Sequence, residues 1–104
     1  MLAQTIAING FKSLTDGELI VSAMTGRSES FEELVHRYQR PITGYVSRML
    51  GDYEASLDVT QEVFIKVYNS LSKYSDEYKF STWLYRIAHN AAIDHMRRNS
   101  ITPQ

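Results

Sequence analysis

Apolar residues recur at three- and four-residue spacing along most of this chain, the mark of amphipathic helices rather than strands. Pro41 and Pro103 are the only prolines, and β-branched runs are short. A first helix is predicted from Thr15, where Glu18 three residues on completes a capping box and Leu14 and Leu19 stand at staple positions. It carries Leu19, Ile20, Ala23 and Met24 inward, and Gly26 ends it. Ser30 with Glu33 marks a second start, from which Phe31, Leu34, Val35, Tyr38, Ile42, Tyr45, Val46 and Met49 form one stripe. Pro41 lies inside that stripe and is expected to kink the helix, since it has no amide proton and crowds the carbonyl of Arg37. Gly51-Asp52 closes the helix.

A third helix, from about Tyr53 to Ser72, sorts into two faces when its residues are placed about 100° apart. Val59, Val63, Phe64, Val67 and Leu71 fall on one side; Asp58, Gln61, Glu62, Ile65 and Asn69 fall on the other. A fourth helix, from about Thr82 to Arg98, turns Trp83, Leu84, Ile87, Ala88 and Ala91 to the core. Arg86, Asn90, Ile93 and Arg97 stack along an outward ridge flanked by Tyr85 and His89, while Asp94 falls near the buried side with Asn90 and Arg98 one turn away. The expected fold is all-α, a compact bundle of about four helices.

Composition narrows the class. At 104 residues, with 43% apolar and 22% charged, the chain supports one globular core and not two. The absence of cysteine excludes a disulfide framework and thiolate metal sites, and fits a reducing cytoplasm. Met1 to Gly10 lacks the basic start and long apolar run of a signal peptide, and no window reaches the ~18 apolar residues of a membrane span, so no membrane partner is expected. The net charge of −1 gives no whole-molecule attraction to nucleic acid, but the charge is unevenly spread. Residues 1–65 hold five Lys/Arg against nine Asp/Glu, and residues 66–104 hold six against three, as if the halves faced different partners.

Binding is the chemistry left standing. His89 and His95 are six residues apart, a poor spacing for two ligands on one helix face, so no metal site is read there. There is no Gly-rich phosphate loop, no nucleophile with a placed base and no close carboxylate pair, so neither catalysis nor a cofactor is expected. The stretch from Lys73 to Arg98 instead joins an aromatic, lightly charged loop to a helix ending in Arg97-Arg98. Aromatics beside a basic helix face suit unstacked bases and the phosphates between them; the same composition also fits an amphipathic helix packing its rings inward. Trp83 and Phe80 are assigned to the core. Tyr74, Tyr78 and Tyr85 are the stacking candidates, with Tyr74 equally placed to cover the core. On the third helix, Ile65 is an apolar residue ringed by acids and amides, readable as a partner contact or as an ordinary exposed apolar residue.

Two spaced motifs, Asp58-x-x-Gln61-Glu62-x-Phe64 and Phe80-x-x-Trp83-Leu84-x-x-Ile87-Ala88-x-Asn90-x-x-x-Asp94-x-x-Arg97, together resemble region 2 of the bacterial extracytoplasmic-function (group IV) sigma factors, promoter-specificity subunits of RNA polymerase. Asp16, Leu19, Gly26, Phe31, Leu34 and Tyr38 also stand at family-like places, and the resemblance covers roughly Leu14 to Asn99. It implies a helix docking on the β′ clamp helices of RNA polymerase core through Asp58, Gln61 and Glu62, with Ile65 on the same face. It also implies recognition of the promoter −10 element as single-stranded non-template DNA, with help in melting. The residues so implicated are the loop Lys73, Tyr74, Ser75, Asp76, Glu77, Tyr78, Lys79 and Ser81, then Thr82, Arg86, Asn90 and Arg97 on the helix; the stacking candidate Tyr85 joins them from its helix angle. An anti-sigma factor is a further implied partner.

The match has departures. Ser56 and Leu57 replace the small and acidic residues usual before the first motif, and Arg27 follows Gly26 where Asp or Asn is common. The loop Ser75 to Lys79 is the family's variable part and encodes the captured base. Residues 1–13 are expected to be an N-terminal extension, 14–99 the region 2 domain, and 100–104 the start of a truncated linker. The second family domain, which reads the −35 element, is not found in the chain, which reads as an excised domain 2 or a truncated relative. The competing reading is a helical interaction module, or decoy, that binds polymerase or an anti-sigma factor without reading DNA.

Overall fold

A computed structural model describes residues 10–101; most of the expected extension (1–13) and linker (100–104) lies outside the described residues. Among them the structure is all-helical: α1 is Asp16–Met24, α2 Ser28–Leu50, α3 Tyr53–Asn69 and α4 Phe80–Ile101, with a 3-10 turn at Leu71–Lys73. A turn of helical backbone at residues 10–13 precedes α1. Contact density divides the described residues into one compact unit up to Arg37 and another from Tyr38 onward, and α2 runs through both.

In the first unit both ends of α1 are written in local chemistry. The Thr15 hydroxyl accepts the Glu18 amide at 3.2 Å and the Glu18 carboxylate accepts the Thr15 amide at 2.8 Å, closing the capping box. At the other end Gly26 takes φ 99°, which only glycine adopts without strain. The Gly26 amide then bonds to Ala23 O and the Arg27 amide to Ser22 O, a Schellman closure. Leu19 and Ile20 are buried, Ala23 is half-buried, and Met24, expected inward, is 54% exposed. Met24 falls at the edge of the apolar arc in the last turn, where no further turn covers it.

α2 begins at Ser28, two residues before the predicted start. Ser30 is fully buried and its hydroxyl bonds to that of Ser22 on α1, so it serves helix packing rather than capping. Arg37 ties this unit together. Its guanidinium reaches Glu33 at 2.8 Å, Asp16 at 3.1 Å, and the carbonyls of Phe11 and Lys12 at 3.0 and 3.2 Å. Partial burial works against its charge, but the Glu33 and Asp16 carboxylates outweigh this and hold its pKa above the ordinary value.

The Glu18 carboxyl is held below its ordinary pKa by the backbone bond from Thr15 and then by the Thr15 side chain. A depressed carboxylate contributes stability above its unfolded value and loses it as pH falls through the folded one. Glu18→Gln is therefore expected to melt below the unmodified chain at neutral pH. The gap should close on acidification past about pH 4. A gap in circular-dichroism melting that persists unchanged into acid would mean the box does not act through this charge.

In the second unit α2 continues without interruption through Pro41, which is exposed. Two residues on, Thr43 and Thr60 hydroxyls lie 3.2 Å apart, each 2.7 Å from the carbonyl one turn before it, so the buried polar groups between α2 and α3 are satisfied. The Gly51 turn takes φ 70°, and the Asp52 carboxylate caps α3 by accepting the Ala55 amide at 3.1 Å. α3 and α4 pack along each other. α3 contributes the buried Val59, Val63, Phe64 and Val67; α4 contributes Leu84, Ala88, Ala91 and Ala92, small enough for a close approach. Asp94, expected near the buried side, is exposed, because it stands on the shoulder of the α4 arc that Leu84, Ala88 and Ala91 define.

Candidate functional site

Two surfaces of the second unit gather the residues singled out by sequence. On α3, Asp58, Gln61, Glu62 and Ile65 are all exposed, Ile65 by 60%. Leu57 and Tyr68 on the same helix are also open, and their helical angles put them within about 20° of each other with Gln61 beside them. The face is therefore a mixed strip, with Leu57 and Tyr68 along one edge, Ile65 near its middle, and the acids Asp58 and Glu62 beyond it. Sequence reasoning assigned neither Leu57 nor Tyr68 to a site; the same angular plot that found Ile65 holds the signal. Glu62 lies 3.8 Å from Arg98 of α4, both side chains about half exposed, a pair too solvated to fix either group.

The second surface starts at the 3-10 turn, where buried Leu71 pins the chain just after it leaves α3. Tyr74 is the next anchor. It is half-buried, its ring centroid 5.3 Å from Trp83 and 5.9 Å from Phe80, and its hydroxyl donates to the Tyr78 carbonyl at 2.5 Å. Phe80 in turn meets Tyr38 edge-on at 5.6 Å and Trp83 at 5.9 Å. This ring cluster is why α4 begins at Phe80, two residues before its predicted start: burying Phe80 to 3% exposure draws it into the helix. The carbonyl of Lys79 accepts the amides of Thr82 and Trp83. Within the loop the Tyr78 amide bonds back to Ser75 O and the Glu77 amide to Ser75 Oγ, at 3.3 Å each.

Lys73, Ser75, Asp76, Glu77, Tyr78 and Lys79 are thus displayed on a short loop tied at both ends, with Tyr78 58% exposed. Beyond it on α4, Ser81 is half-buried, and Thr82, Arg86, Asn90 and Arg97 are exposed. Of the three stacking candidates Tyr78 alone is open. Tyr74 is committed to the ring cluster, and half-buried Tyr85 meets Tyr45 of α2 edge-on at 5.2 Å. The loop and ridge residues carry Lys73, Lys79, Arg86 and Arg97 against Asp76 and Glu77, whereas the α3 face carries Asp58 and Glu62. One surface is suited to phosphates and bases, the other to a basic partner. No group of His and carboxylate side chains able to hold a metal is found among the described residues. None of their helices is long and apolar enough to cross a membrane.

Residues 34–101 match the family model for sigma-70 region 2. The chain is 40% identical over 81 residues to the RNA polymerase sigma-H factor of Pseudomonas aeruginosa, an alignment covering 78% of this chain and 42% of that protein. It is 37% identical over 92 residues to the ECF RNA polymerase sigma-E factor of Haemophilus influenzae, covering 88% and 48% respectively. The chain thus spans less than half the length of these curated relatives. Among solved structures it superposes with a TM-score of 0.78, at 40% identity, on an engineered region 2 of sigmaE determined by NMR in complex with GTAAAA, covering 84% of this chain and 90% of that one.

Proposed function

The chain belongs to the sigma-70 region 2 family, in its extracytoplasmic-function branch, and on that footing we propose that it recognises a promoter −10 element as single-stranded non-template DNA while docked on the β′ clamp helices of RNA polymerase. The observation that carries the reading is the division of one unit into two exposed faces of opposite chemistry, together with the GTAAAA strand held by the solved relative. Asp58, Gln61 and Glu62 supply acceptors for a basic coiled coil around the apolar contact of Ile65. The loop Ser75 to Lys79 captures a base, and Arg86, Asn90 and Arg97 hold the bases and phosphates that follow it. Bonds are neither made nor broken; the chain acts by binding, in the compartment where the polymerase works. An anti-sigma factor would act by covering the α3 face.

Magnitudes limit what the domain does alone. Unstacking costs a few kcal/mol per base, and stacking on an aromatic returns about 1–3 kcal/mol, with phosphate contacts adding a salt-dependent term. One or two captured bases roughly balance the opening cost. Duplex opening therefore needs polymerase, whereas an already single strand binds.

A selection of single-stranded 8-mers, followed by anisotropy with the winner and its scrambled version, tests the reading. A preference for the selected order is expected at every salt concentration. Equal affinities would remove the base-reading claim and leave a clamp-binding module or decoy. In a pull-down with the clamp helices, Asp58→Ala and Gln61→Ala are each expected to weaken capture; unchanged capture by both would show that α3 is not the docking face.

A further inference from the structure

Tyr45 was expected only as a member of the α2 apolar stripe, and the structure gives it another contact. Its hydroxyl lies 2.9 Å from Nδ1 of His89, across 44 residues of chain, and its ring stands edge-on to Tyr85 at 5.2 Å with an interplanar angle of 89°. Tyr85 and His89 are one turn apart on α4, on the flank of the ridge formed by Arg86 and Asn90. His89 is exposed and Tyr45 half-buried, so the contact does not satisfy a buried polar group. A solvated hydrogen bond of this kind adds little to stability. What it does is hold an imidazole that would otherwise rotate freely.

We propose that Tyr45 is a positioning residue that sets His89 to contact a backbone phosphate of the bound single strand, extending the reading surface from α4 towards α2. The inference rests on the strand-binding function proposed above. With Nδ1 engaged by Tyr45, the exposed ring is left with Nε2 to address a ligand. The tyrosine hydroxyl can donate to a neutral imidazole and accept from a charged one, so the ring keeps its place in both states while Nε2–H donates in both. Within one turn along each helix, the charged and titratable side chains are Tyr85 and Arg86 beside His89 on α4, and Arg48 beyond Tyr45 on α2. The fixed charges are both cationic, which selects an anion. The acid next along α4 is Asp94, five residues on, and its helical angle puts it well over a quarter-turn round the helix from His89.

An imidazole acquires its charge between pH 8 and 5, so the contact has a signature that packing alone lacks. Anisotropy with the selected 8-mer, at about pH 8 and about pH 5.5 across a salt series, is the experiment. The unmodified chain is expected to tighten on acidification about two- to fivefold more than His89→Gln, the scale of one exposed ion pair. Its slope of log affinity against log salt should steepen by ~0.7 relative to that variant, the value for one phosphate on a single strand. Tyr45→Phe keeps the edge-on ring and removes the hydroxyl; it should lose most of the acid response with an unchanged melting temperature. His36 and His95 are present in all three proteins and drop out of the comparison. If His89→Gln shows the same acid response as the unmodified chain, the inference is overturned while the proposed function stands. If the unmodified chain binds no 8-mer at either pH, both are overturned.

Discussion

Leu84→Ala is expected to cost this domain about 3 kcal/mol, within the 2–5 kcal/mol range for truncating a fully buried leucine. Leu84 has no exposed surface, and it shares the buried arc of α4 with Phe80, Ala88 and Ala91. Ala88 and Ala91 on that arc are already alanine, and Phe80 is held by its ring contacts to Tyr38, Tyr74 and Trp83, so little on α4 can swing in to fill the space. The residual cavity adds its own penalty to the lost transfer energy. Small domains hold only about 5–15 kcal/mol in total, and 1 kcal/mol shifts the midpoint of a ~100-residue domain by roughly 4–8 °C. Melting should therefore begin more than ten degrees lower. In urea the midpoint should move while the slope stays constant, since the surface exposed on unfolding hardly changes. A loss under about 1 kcal/mol would mean that the α3–α4 contact does not depend on this side chain.

What could be read in advance follows the range of the forces involved. The α1 box and the Gly26 closure are decided within five residues, so Thr15, Glu18 and Gly26 announced them. The buried face of α3 was legible for a related reason: a helix long enough to show its period leaves Val59, Val63 and Val67 little choice of side. Where long-range packing wins, the local signal misleads. Ser30 looks like a helix cap in sequence, but its hydroxyl has a better partner in Ser22, and the helix starts without it. Phe80 looks like a plug before a helix, but the ring cluster recruits it into the first turn. Helix angle alone also overstates burial at helix ends and arc edges, as Met24 and Asp94 show.

For the candidate site the division is similar. That Asp58, Gln61, Glu62 and Ile65 share an exposed face required only helical geometry. Which tyrosine is free required the fold. Tyr74, Tyr78 and Tyr85 are chemically equal in a list, and their separation into an anchor, an open ring and a paired ring depends on Phe80, Trp83 and Tyr45. The Tyr45–His89 contact joins residues 44 apart on different helices, and no spacing rule reaches that far.

The contrast between Tyr74 and Tyr78 gives the prediction with the largest effect on the proposed function. Tyr74→Ala is expected to lower stability by about 2–3 kcal/mol, less than the 3–5 kcal/mol of a fully buried aromatic because the ring is only half-buried. It should also weaken strand binding more than tenfold, because the loop proposed to capture a base loses both its packing onto Trp83 and its tie to the Tyr78 carbonyl. Tyr74→Phe keeps the ring contacts and removes only the tie, so stability should stay within about 1 kcal/mol and binding should fall less steeply. Tyr78→Ala should behave in the opposite way. Its side chain is open to solvent, so melting should be unchanged, while the loss of one stacking partner removes about 1–3 kcal/mol of strand affinity. Urea denaturation and anisotropy on the same four proteins separate the roles. If Tyr74→Ala is as stable as the unmodified chain yet fails to bind, Tyr74 contacts the strand itself and the anchor assignment is wrong. If Tyr78→Ala binds normally, the captured base is held by the polar members of the loop, with Ser75, Asp76 and Lys79 as its contacts.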